Sequence, residues 1–240
     1  MKTVAIIQAR MSSTRLPGKV LADVSGKPLL YYVVERARAC PLLDEVLVAT
    51  TDKVADDMVM YFCREEGIPF FRGDPDDVLK RYADAARFCN ADIVVRITAD
   101  CPLIDPEIIG KVVEQFRKGQ CDYAANVLDR TYPRGLDTEV FSREILERLE
   151  RSVHDPENRE HVTFYIYCHP AEFRIASVTH PEDFSQHRWT VDTLDDLAFV
   201  RAVYNHFGHH KFSWLDLIRA EKEHPEWSML NQHVPQKSPF

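Results

Sequence analysis

The chain has 240 residues, 45% of them hydrophobic, and a formal net charge of −8 at pH 7. This length and apolar content fit one α/β domain with a sizeable core and leave little room for a second full domain. The acidic balance disfavours a nucleic-acid-binding protein, because phosphate backbones require a broad cationic surface. We therefore expect no nucleic-acid partner, and any anionic ligand must meet a local cluster of cations.

Hydrophobic runs and cysteine spacing indicate the compartment. No uninterrupted apolar run reaches the roughly 18 residues that a membrane helix needs, and the N-terminus lacks the pattern of a signal peptide. The six cysteines form no Cys-x-x-Cys pair, which argues against a zinc site or a disulfide framework and favours reduced, mostly buried thiols. We expect a cytoplasmic protein with no membrane contact.

The first half of the chain alternates predicted strands with predicted helices. The strands are short apolar runs at 4–7, 46–49, 68–71 and 93–97, and the helices, with apolar residues at helical spacing, cover 29–38, 55–66 and 78–89. Strands that are apolar on both faces belong inside a mainly parallel sheet with helices on each side. The fold class is thus α/β, and ligands should lie at the carboxyl ends of the strands.

After about residue 119 the alternation is less regular. Strand-like pieces at 122–126 and 172–178 mix with predicted helices near 144–151 and 158–167. We expect one domain over 1–240, in which about 120–185 continues the sheet, shapes the pocket of a second substrate and offers a possible dimer surface. A helix near 214–223 precedes residues 224–240, whose prolines and polar residues predict a C-terminal surface arm or an oligomer contact.

The loop after the first strand is the most informative segment. Residues 8–19, QARMSSTRLPGK, place Arg10, Arg15 and Lys19 beside several hydroxyl groups directly after an apolar strand. Guanidinium and ammonium groups neutralise phosphate oxygens, and the amides of a tight turn at Pro17–Gly18 add donors. The segment is not a Walker loop, because the first glycine of that motif is missing. A solvated basic loop is the alternative, but the position at a strand end favours triphosphate binding.

Two aspartates follow strand-like segments further along the sequence. Asp100 comes after the strongest predicted strand and precedes Pro102, which ends that strand. A carboxylate at the carboxyl end of a strand beside a phosphate-binding loop suits Mg²⁺, which combines a few oxygen ligands with substrate phosphates and water. Asp192 has a similar setting before a predicted helix, where its alternative role is a helix cap.

Several separated motifs together resemble one enzyme family. They are, in order, the 8–19 loop, ATTD at 49–52, GDPDDVL at 73–79, TADCPLI at 98–104, PRGLD at 133–137 and WTVDT at 189–193. With these motifs, most of the chain resembles the cytidylyltransferases that activate acidic sugars, which include the synthetases of CMP-sialic acid and CMP-Kdo. The closest likeness is to the subgroup of spore coat polysaccharide biosynthesis protein F. One such motif is a weak signal, whereas their shared order is specific.

The resemblance implies a nucleotide-diphospho-sugar transferase (GT-A/Rossmann-like) fold, with three α/β/α layers around a mainly parallel mixed sheet. It also implies that the first loop wraps the nucleotide, so that Arg10, Arg15 and Lys19 bind phosphates, and that Asp100 and Asp192 hold a catalytic Mg²⁺. The expected catalytic residues are Arg15, Lys19 and Asp100. The expected nucleotide-binding residues are Ala9, Arg10, Ser13, Arg15, Lys19, Asp52 and Arg81.

Asp74, Pro75 and Asp76 also allow another interpretation. The Asp-x-Asp pattern is typical of metal-dependent glycosyltransferases that use a nucleotide sugar. Here the pattern begins a predicted helix that Asp77 also precedes, so acidic residues at a helix N-terminus are the simpler explanation. A glycosyltransferase stays an alternative, one that leaves the cations of the 8–19 loop underused.

Polar residues of the second half are candidates for binding the second substrate. An acid needs a cation for its carboxylate and hydrogen-bonding groups for its hydroxyls. Arg134 and Arg159 could supply the cation, while solvated surface charges and a packed histidine are the structural alternatives. The expected acceptor-binding residues are Arg134, Asp137, Glu139, Arg159 and His161.

The expected reaction is an in-line attack by an acceptor oxygen on the α-phosphorus of CTP, with release of pyrophosphate. The resemblance further implies a small acidic acceptor, a role in cell-surface or spore-coat polysaccharide synthesis, and a homodimer. A catalytically silent nucleotide-binding subunit is another alternative, against which the joint presence of Arg15, Lys19, Asp100 and Asp192 argues. The base could also differ from cytosine, since backbone groups and pocket shape decide base choice.

Overall fold

The N-terminal half of the chain forms four parallel strands and the helices that connect them. A computed structural model describes residues 1–236. In chain order its first elements are β1 (Thr3–Gln8), β2 (Asp23–Val24), β3 (Lys27–Pro28), α1 (Leu29–Arg38), β4 (Glu45–Thr51), α2 (Asp57–Glu65), β5 (Phe70–Gly73), α3 (Val78–Phe88), β6 (Ile93–Thr98) and α4 (Pro106–Arg117). The parallel strands lie in the order β5-β4-β1-β6, and β2 pairs with β3 in a separate small hairpin.

The second half adds three strands to the same sheet. Its elements are β7 (Tyr123–Ala125), β8 (Glu139–Ser142), α5 (Arg143–Ser152), α6 (Pro156–Glu160), α7 (Phe164–Cys168), β9 (Ile175–Ser177), α8 (Leu194–Phe207), α9 (Trp214–Glu223) and α10 (Pro225–Asn231). Strand β8 runs antiparallel to β6 and β7, whereas β9 is parallel to β7. The full order β5-β4-β1-β6-β8-β7-β9 confirms the mainly parallel mixed sheet predicted from the sequence.

Helices cover both faces of the sheet and divide the core into two. One apolar cluster packs alternate strand residues such as Ile7 and Val95 against α1, α2, α4, α8 and α9. The other packs Ile6 and Val94 against α3, α5 and α7. Because successive strand residues point to opposite faces, both neighbours must be apolar, which is why the central strands read as continuous hydrophobic runs.

Strand register brings two distant motifs together at one edge of the sheet. In the β1–β6 pair Gln8 lies opposite Thr98, so the two strands end at the same level. The Ala9 amide then donates to the Ala49 carbonyl at 3.1 Å, and the Ala99 amide to the Gln8 carbonyl at 3.1 Å. The loop that follows β1 and the aspartate that follows β6 therefore leave the sheet side by side.

The predicted elements differ from the structure at several places, one of which is the β2–β3 hairpin, which was not predicted. Helix α4 and strand β8 have no counterpart in the sequence-based prediction. The sequence does contain start signals for α4, because Asp105 is its N-cap and Pro106 is its first residue. The single helix expected at 158–167 is wrong. Val162 adopts φ 54° and separates α6 from α7, because a β-branched residue in the left-handed region cannot continue a helix.

The residues after α9 pack onto the domain. Helix α10 contacts α8, and Trp227 and Asn231 are buried. Asn231 Nδ2 donates to the Arg188 carbonyl at 3.0 Å and to Asp196 Oδ1 at 3.1 Å. The arm predicted at 224–240 is therefore, in its described part, a helix in contact with the core, and residues 237–240 lie outside the described residues. Within residues 1–236 no helix combines the length and apolarity that a membrane span needs.

Gly135 allows two loops to approach each other near Asp192. Gly135 has φ 109°, and a Cβ atom there would lie 2.7 Å from the carbonyl carbon of Trp189 and 2.9 Å from the Thr190 nitrogen. The adjoining backbone is paired, since the Trp189 amide donates to the Arg134 carbonyl at 2.7 Å. Only glycine fits this contact, and the contact fixes the segment that leads to Asp192.

We predict that Gly135→Ala lowers the free energy of unfolding by roughly 3 kcal/mol, because it combines a left-handed backbone with a backbone clash. Gly119→Ala is the matched control: Gly119 also has positive φ, 71°, but a Cβ atom there would have nothing within 4 Å. For Gly119→Ala we expect a loss of about 1–2 kcal/mol in the free energy of unfolding, which is the cost of the backbone conformation alone. Urea unfolding of both variants measures the difference, and equal losses would show that the contact with Trp189 is unimportant.

Candidate functional site

The loop after β1 is held by its own backbone and by one buried carboxylate. The Gly18 amide donates to the Met11 carbonyl at 2.8 Å, and Gly18 has φ 74°, which turns the chain into the short helical turn Lys19–Leu21. Asp56, 1% exposed, accepts the Met11 amide at 2.6 Å and the Thr51 hydroxyl. The Pro17–Gly18 turn predicted from the sequence is thus confirmed, and Asp56 ties it to the end of β4.

A lysine joins the three segments that form the site. Lys19 Nζ donates to Asp100 Oδ2 at 2.9 Å, to Asp192 Oδ1 at 2.9 Å and to the Val191 carbonyl at 2.7 Å. The two carboxylates lie 81 and 173 residues further along the chain. The ammonium group uses all three of its donors in these contacts, so Lys19 is fixed between the carboxylates.

Asp100 is oriented by neighbours on both sides. Its Oδ1 accepts the Thr98 hydroxyl at 2.6 Å, while Oδ2 faces Lys19. Its backbone carbonyl accepts the Val191 amide at 2.8 Å and the Thr190 hydroxyl at 3.2 Å. These backbone contacts hold the end of β6 against the segment before α8, which brings the two aspartates together.

Asp192 meets three cations. Besides Lys19, Arg15 Nη2 lies 2.8 Å and Arg188 Nη2 lies 3.1 Å from Asp192 Oδ2. The helix-cap interpretation of Asp192 is wrong, because Thr193 caps α8 and forms a reciprocal capping box with Asp196. The side chain of Asp192 is therefore available to the cluster.

Burial and charge act in opposite directions on the ionisable groups of this cluster. Burial alone would lower the pKa of Lys19, but Asp100 and Asp192 raise it above its ordinary value. Burial would likewise raise the pKa of Asp100, whereas Lys19 and the Thr98 hydroxyl bring it below its ordinary value. Lys19 and Asp100 are consequently both charged at neutral pH.

Two neighbouring cavities open at the carboxyl ends of β1 and β6. The first, which we call the loop cleft, has a volume of about 220 Å³ and is lined by Gln8, Arg10, Ser12, Ser13, Thr14, Arg15, Lys19, Val20, Thr98, Ala99, Asp100 and Asp192. The second, which we call the arginine cavity, has a volume of about 160 Å³ and is lined by Gln8, Ala9, Arg10, Val78, Arg81, Arg96, Glu160 and His161. Gln8 and Arg10 border both.

The residues expected to bind the nucleotide divide between these cavities. Ser13 lines the loop cleft, and its hydroxyl accepts the Leu16 amide at 3.3 Å. Ala9 and Arg81 line the arginine cavity. Asp52 lines neither cavity; it is an exposed residue after β4 whose amide donates to the Gly73 carbonyl. The cations Arg10, Arg15 and Lys19 all lie in the loop cleft.

The donor set at Asp100 and Asp192 fits a magnesium ion. One oxygen of each carboxylate lies 2.9 Å from the same ammonium nitrogen, so both already converge on one cation. Mg²⁺ is commonly held by one or two carboxylates together with substrate phosphates and water. Across the described residues no group of three His, Cys, Asp or Glu side chains is arranged for a metal, so the remaining ligands would come from substrate and solvent.

The residues expected to bind the acceptor lie in different surroundings. His161 lines the arginine cavity. Buried Glu139 does not line it, but its Oε1 lies 2.9 Å from Nη1 of Arg96, which does. Asp137 forms a two-point ion pair with Arg130, at 2.6 and 3.0 Å. Arg134 is half-buried and lines neither cavity, and burial lowers its pKa.

Arg159 is a clamp between the second half of the chain and α3. Its Nε and Nη2 donate to Asp77 at 2.8 and 2.6 Å, and its Nη1 donates to the carbonyls of Glu150 and Val153. Every nitrogen of the guanidinium is therefore engaged. In these contacts Arg159 fastens α6 to the start of α3 and faces neither cavity.

The acidic run before α3 has local backbone roles. Asp74 accepts the amides of Asp76 and Asp77, at 2.9 and 3.1 Å. Asp77 caps α3 by accepting the Lys80 amide, and Asp76 is exposed beside Lys53. These contacts agree with the helix N-terminus interpretation of the Asp-x-Asp sequence.

Several residues of the site were absent from the sequence-based expectation. They are Gln8, Asp56, Arg96, Thr98, Arg188 and Asp196. Arg96 carried one signal, a charge inside the most apolar strand. Asp56 and Arg188 carried none, because only the folded chain brings them to the loop and to Asp192.

Comparison with known proteins identifies the family. A model of the cytidylyltransferase family matches residues 4–212. The chain is 35% identical over 229 residues to spore coat polysaccharide biosynthesis protein SpsF of Bacillus subtilis, covering 92% of this chain and 94% of that protein. It is 40% identical over 116 residues to a 3-deoxy-manno-octulosonate cytidylyltransferase of Trichlorobacter lovleyi, covering 48% of this chain and 45% of that protein.

The fold agrees with that of a solved structure, a cytidylyltransferase from Leptospira borgpetersenii. The two are 34% identical with a TM-score of 0.91, covering 99% of this chain and all of the other. The chain therefore belongs to the cytidylyltransferase family, a family of nucleotidyltransferases. Both the fold and the family predicted from the motifs are confirmed.

We predict that Lys19→Met lowers the free energy of unfolding by about 3 kcal/mol in magnesium-free buffer, because it leaves two partly buried carboxylates without the cation between them. Lys111→Met is the matched control, since Lys111 forms a surface pair with Glu107 on α4 at 2.7 Å. Such a pair contributes at most about 1 kcal/mol. Chemical unfolding compares the two; a loss at Lys19 no larger than at Lys111 would contradict a stabilising role for the lysine.

Proposed function

We propose that this chain transfers the cytidylyl group of CTP to a small acidic, sugar-like acceptor and releases pyrophosphate. The observation that carries the proposal is the convergence of Lys19, Arg15, Asp100 and Asp192 in one cleft. That cleft lies at the carboxyl ends of parallel strands, where α/β proteins bind ligands. Membership of the cytidylyltransferase family supports the choice of reaction.

The cations of the loop cleft suit the departing group. An acceptor oxygen would attack the α-phosphorus in line while the bond to the pyrophosphate oxygen breaks, so negative charge grows on the β- and γ-phosphates. Arg10, Arg15 and Lys19 would bind those phosphates, and this stabilisation by fixed charges is commonly the largest contribution to catalysis. Loop amides other than those of Met11, Ser13, Leu16, Gly18 and Lys19, which already donate within the protein, would add donors.

Asp100 and Asp192 would hold Mg²⁺, which supplies charge neutralisation at the phosphates when bound. Thr98 and Arg188 fix the orientation of the two carboxylates. The contribution of the chain is thus to hold two oxygen ligands at a set separation beside the phosphate-binding cations. No covalent intermediate with the enzyme is required.

The names of similar proteins support the acceptor class and the pathway. One relative is a cytidylyltransferase named for 3-deoxy-manno-octulosonate, a sugar acid, and another is named for spore coat polysaccharide biosynthesis. We accordingly include in the proposal an acidic sugar as acceptor and a role in cell-surface or spore-coat polysaccharide synthesis. The homodimer that the resemblance implies and the cytoplasmic location predicted from the sequence complete the proposal.

Pyrophosphate release tests the reaction. Purified protein is incubated with Mg²⁺, each of the four nucleoside triphosphates in turn and a panel of acidic sugars. We expect release with CTP and one acceptor, and a loss of at least about 100-fold in kcat for Asp100→Asn, because the variant loses one of the two carboxylates that would hold Mg²⁺ at the phosphates.

Asp76→Asn is the control for this assay, because Asp76 is exposed and its carboxylate, among the described residues, pairs with Lys53 alone. Activity should be unchanged in that variant. A glycosyltransferase would instead consume a nucleotide sugar, release a nucleoside diphosphate and lose activity on substitution of Asp74 or Asp76. Absence of release across the panel, despite CTP binding, would favour a silent nucleotide-binding subunit.

We predict that Mg²⁺ raises the Tm of Lys19→Met more than that of the unaltered protein, because a cation that binds only the folded state stabilises it. In the variant the two carboxylates have lost the ammonium group between them, although Asp192 still pairs with Arg15 and Arg188, and they should bind the metal more readily. Thermal unfolding with and without Mg²⁺ measures this, and K⁺ at equal ionic strength is the control. An equal shift in both proteins would contradict the two aspartates as metal ligands.

A further inference from the structure

The arginine cavity is lined by a charged side chain of the central sheet, that of Arg96. Arg96 is the fourth residue of β6 and lies on the same face as Val94, two positions earlier, which belongs to the core under α3 and α5. Its side chain is only 14% exposed. A guanidinium in the middle of an apolar strand has a large desolvation cost, which contacts in the folded protein must offset.

Two side chains accept hydrogen bonds from this guanidinium. Arg96 Nη1 donates to Glu139 Oε1 at 2.9 Å, and Nη2 donates to Gln8 Oε1 at 3.3 Å. The second oxygen of Glu139 accepts the Thr163 hydroxyl at 2.7 Å. Thr163 follows His161 and Val162, so the network connects the sheet to the segment that borders the cavity. The Arg96 Nε atom is buried and has no hydrogen-bond partner within the described part of the chain.

The cavity contains more positive than negative charge. Arg10, Arg81 and Arg96 line it, and Glu160 is the acidic residue in its wall, 3.7 Å from Arg10. Arg81 is 2% exposed and donates to the Asp74 carbonyl, but within residues 1–236 it forms no ion pair. Burial lowers the pKa of Arg81. A buried cation without a carboxylate partner is costly, and a bound anion would remove that cost.

The two proposed reactants differ in where they carry charge. The negative charge of CTP resides in its triphosphate, which the cations of the loop cleft can bind, whereas its cytidine part is neutral. A second group of cations beside that cleft therefore suits an anion from the other reactant. Charge-assisted contacts to a guanidinium are strong and directional, as recognition of a carboxylate or phosphate requires.

We infer that the acceptor places its anionic group, a carboxylate or a phosphate, in the arginine cavity and that Arg96, positioned by Glu139 and Gln8, binds it. This inference rests on the proposed function, since it assigns the acceptor of that reaction. Arg96 is thereby a specificity-determining residue for the acceptor. Glu139 is a positioning residue that acts through Arg96, and it need not touch the substrate.

Equilibrium binding tests the inference without turnover. The full chain is saturated with α,β-methylene-CTP, which cannot release pyrophosphate, and then titrated with pyruvate or with inorganic phosphate as the anion probe. Ligand-observed NMR, by saturation transfer for pyruvate and ³¹P line width for phosphate, measures binding. We expect one of the two probes to bind, which identifies the anion as a carboxylate or a phosphate.

Substituting Arg96 alone would leave Glu139 buried without its cation, so the test uses the double variant Arg96→Gln/Glu139→Gln, which keeps the network neutral. Binding of the anion probe should be lost, while the affinity for α,β-methylene-CTP stays within about twofold. Arg87→Gln is the control, because Arg87 is a surface guanidinium that also pairs with carboxylates. Probe binding that is absent from the unaltered protein, or equal in the double variant, would overturn the inference.

Kinetics with the acceptor that the pyrophosphate assay identifies give a second readout. Arg96→Gln/Glu139→Gln should raise the KM for the acceptor by about 10- to 100-fold, the range for hydrogen bonds to charged groups. The KM for CTP should stay within about twofold. A rise in the KM for CTP instead would assign the cavity to the nucleoside and overturn the inference. Failure to bind α,β-methylene-CTP at all would instead count against the proposed function.

Discussion

The site depends on one buried ammonium group. Lys19 belongs to the loop after β1, and it contacts carboxylates that follow β6 and precede α8. Charged groups with so little exposure to solvent are stable only when they are paired. Lys19 and the two aspartates therefore stabilise one another. Because the partners come from the beginning, the middle and the end of the chain, the cluster also fixes how the last third of the protein lies against the sheet. Under the proposed function, structure and chemistry therefore rest on the same three side chains.

A second layer of contacts holds Asp192 in place. Arg188 joins Asp192 to Asp196, and Asn231 on the last helix donates to both Arg188 and Asp196. Helix α10 thus supports Asp192 indirectly, through Arg188 and Asp196, although the helix lines neither cavity. Under the proposed function, Lys19 and Arg15 would serve two anionic partners, the carboxylates and the triphosphate. Nucleotide binding would then alter the charge balance at the aspartates, which couples the metal site to the phosphate site.

The two cavities differ in how their charges are balanced. In the loop cleft Asp100 and Asp192 pair with Arg15 and Lys19, and Arg10, which borders both cavities, adds a third cation. In the arginine cavity cations outnumber acids, and one of them, Arg81, lacks a carboxylate partner among the described residues. Under the proposed function and the inferred role of Arg96, each reactant would have its own binding region, with Gln8 and Arg10 between them. The Asp-x-Asp sequence that suggested a glycosyltransferase lies outside both cavities and shapes the start of α3.

The sequence by itself determined the parallel part of the sheet, the family, and the close grouping of the 8–19 loop with Asp100. Strand periodicity and the position of motifs at strand ends are local features, and parallel strands end at a common edge. It could not separate binding from structural roles among the charged residues of the second half. Arg159 and Asp137 are engaged by Asp77 and Arg130, while Glu139 supports Arg96. Only the tertiary structure decided these pairings, because the partner of a buried charge is set by contacts between segments far apart in the chain, and no local pattern encodes such contacts.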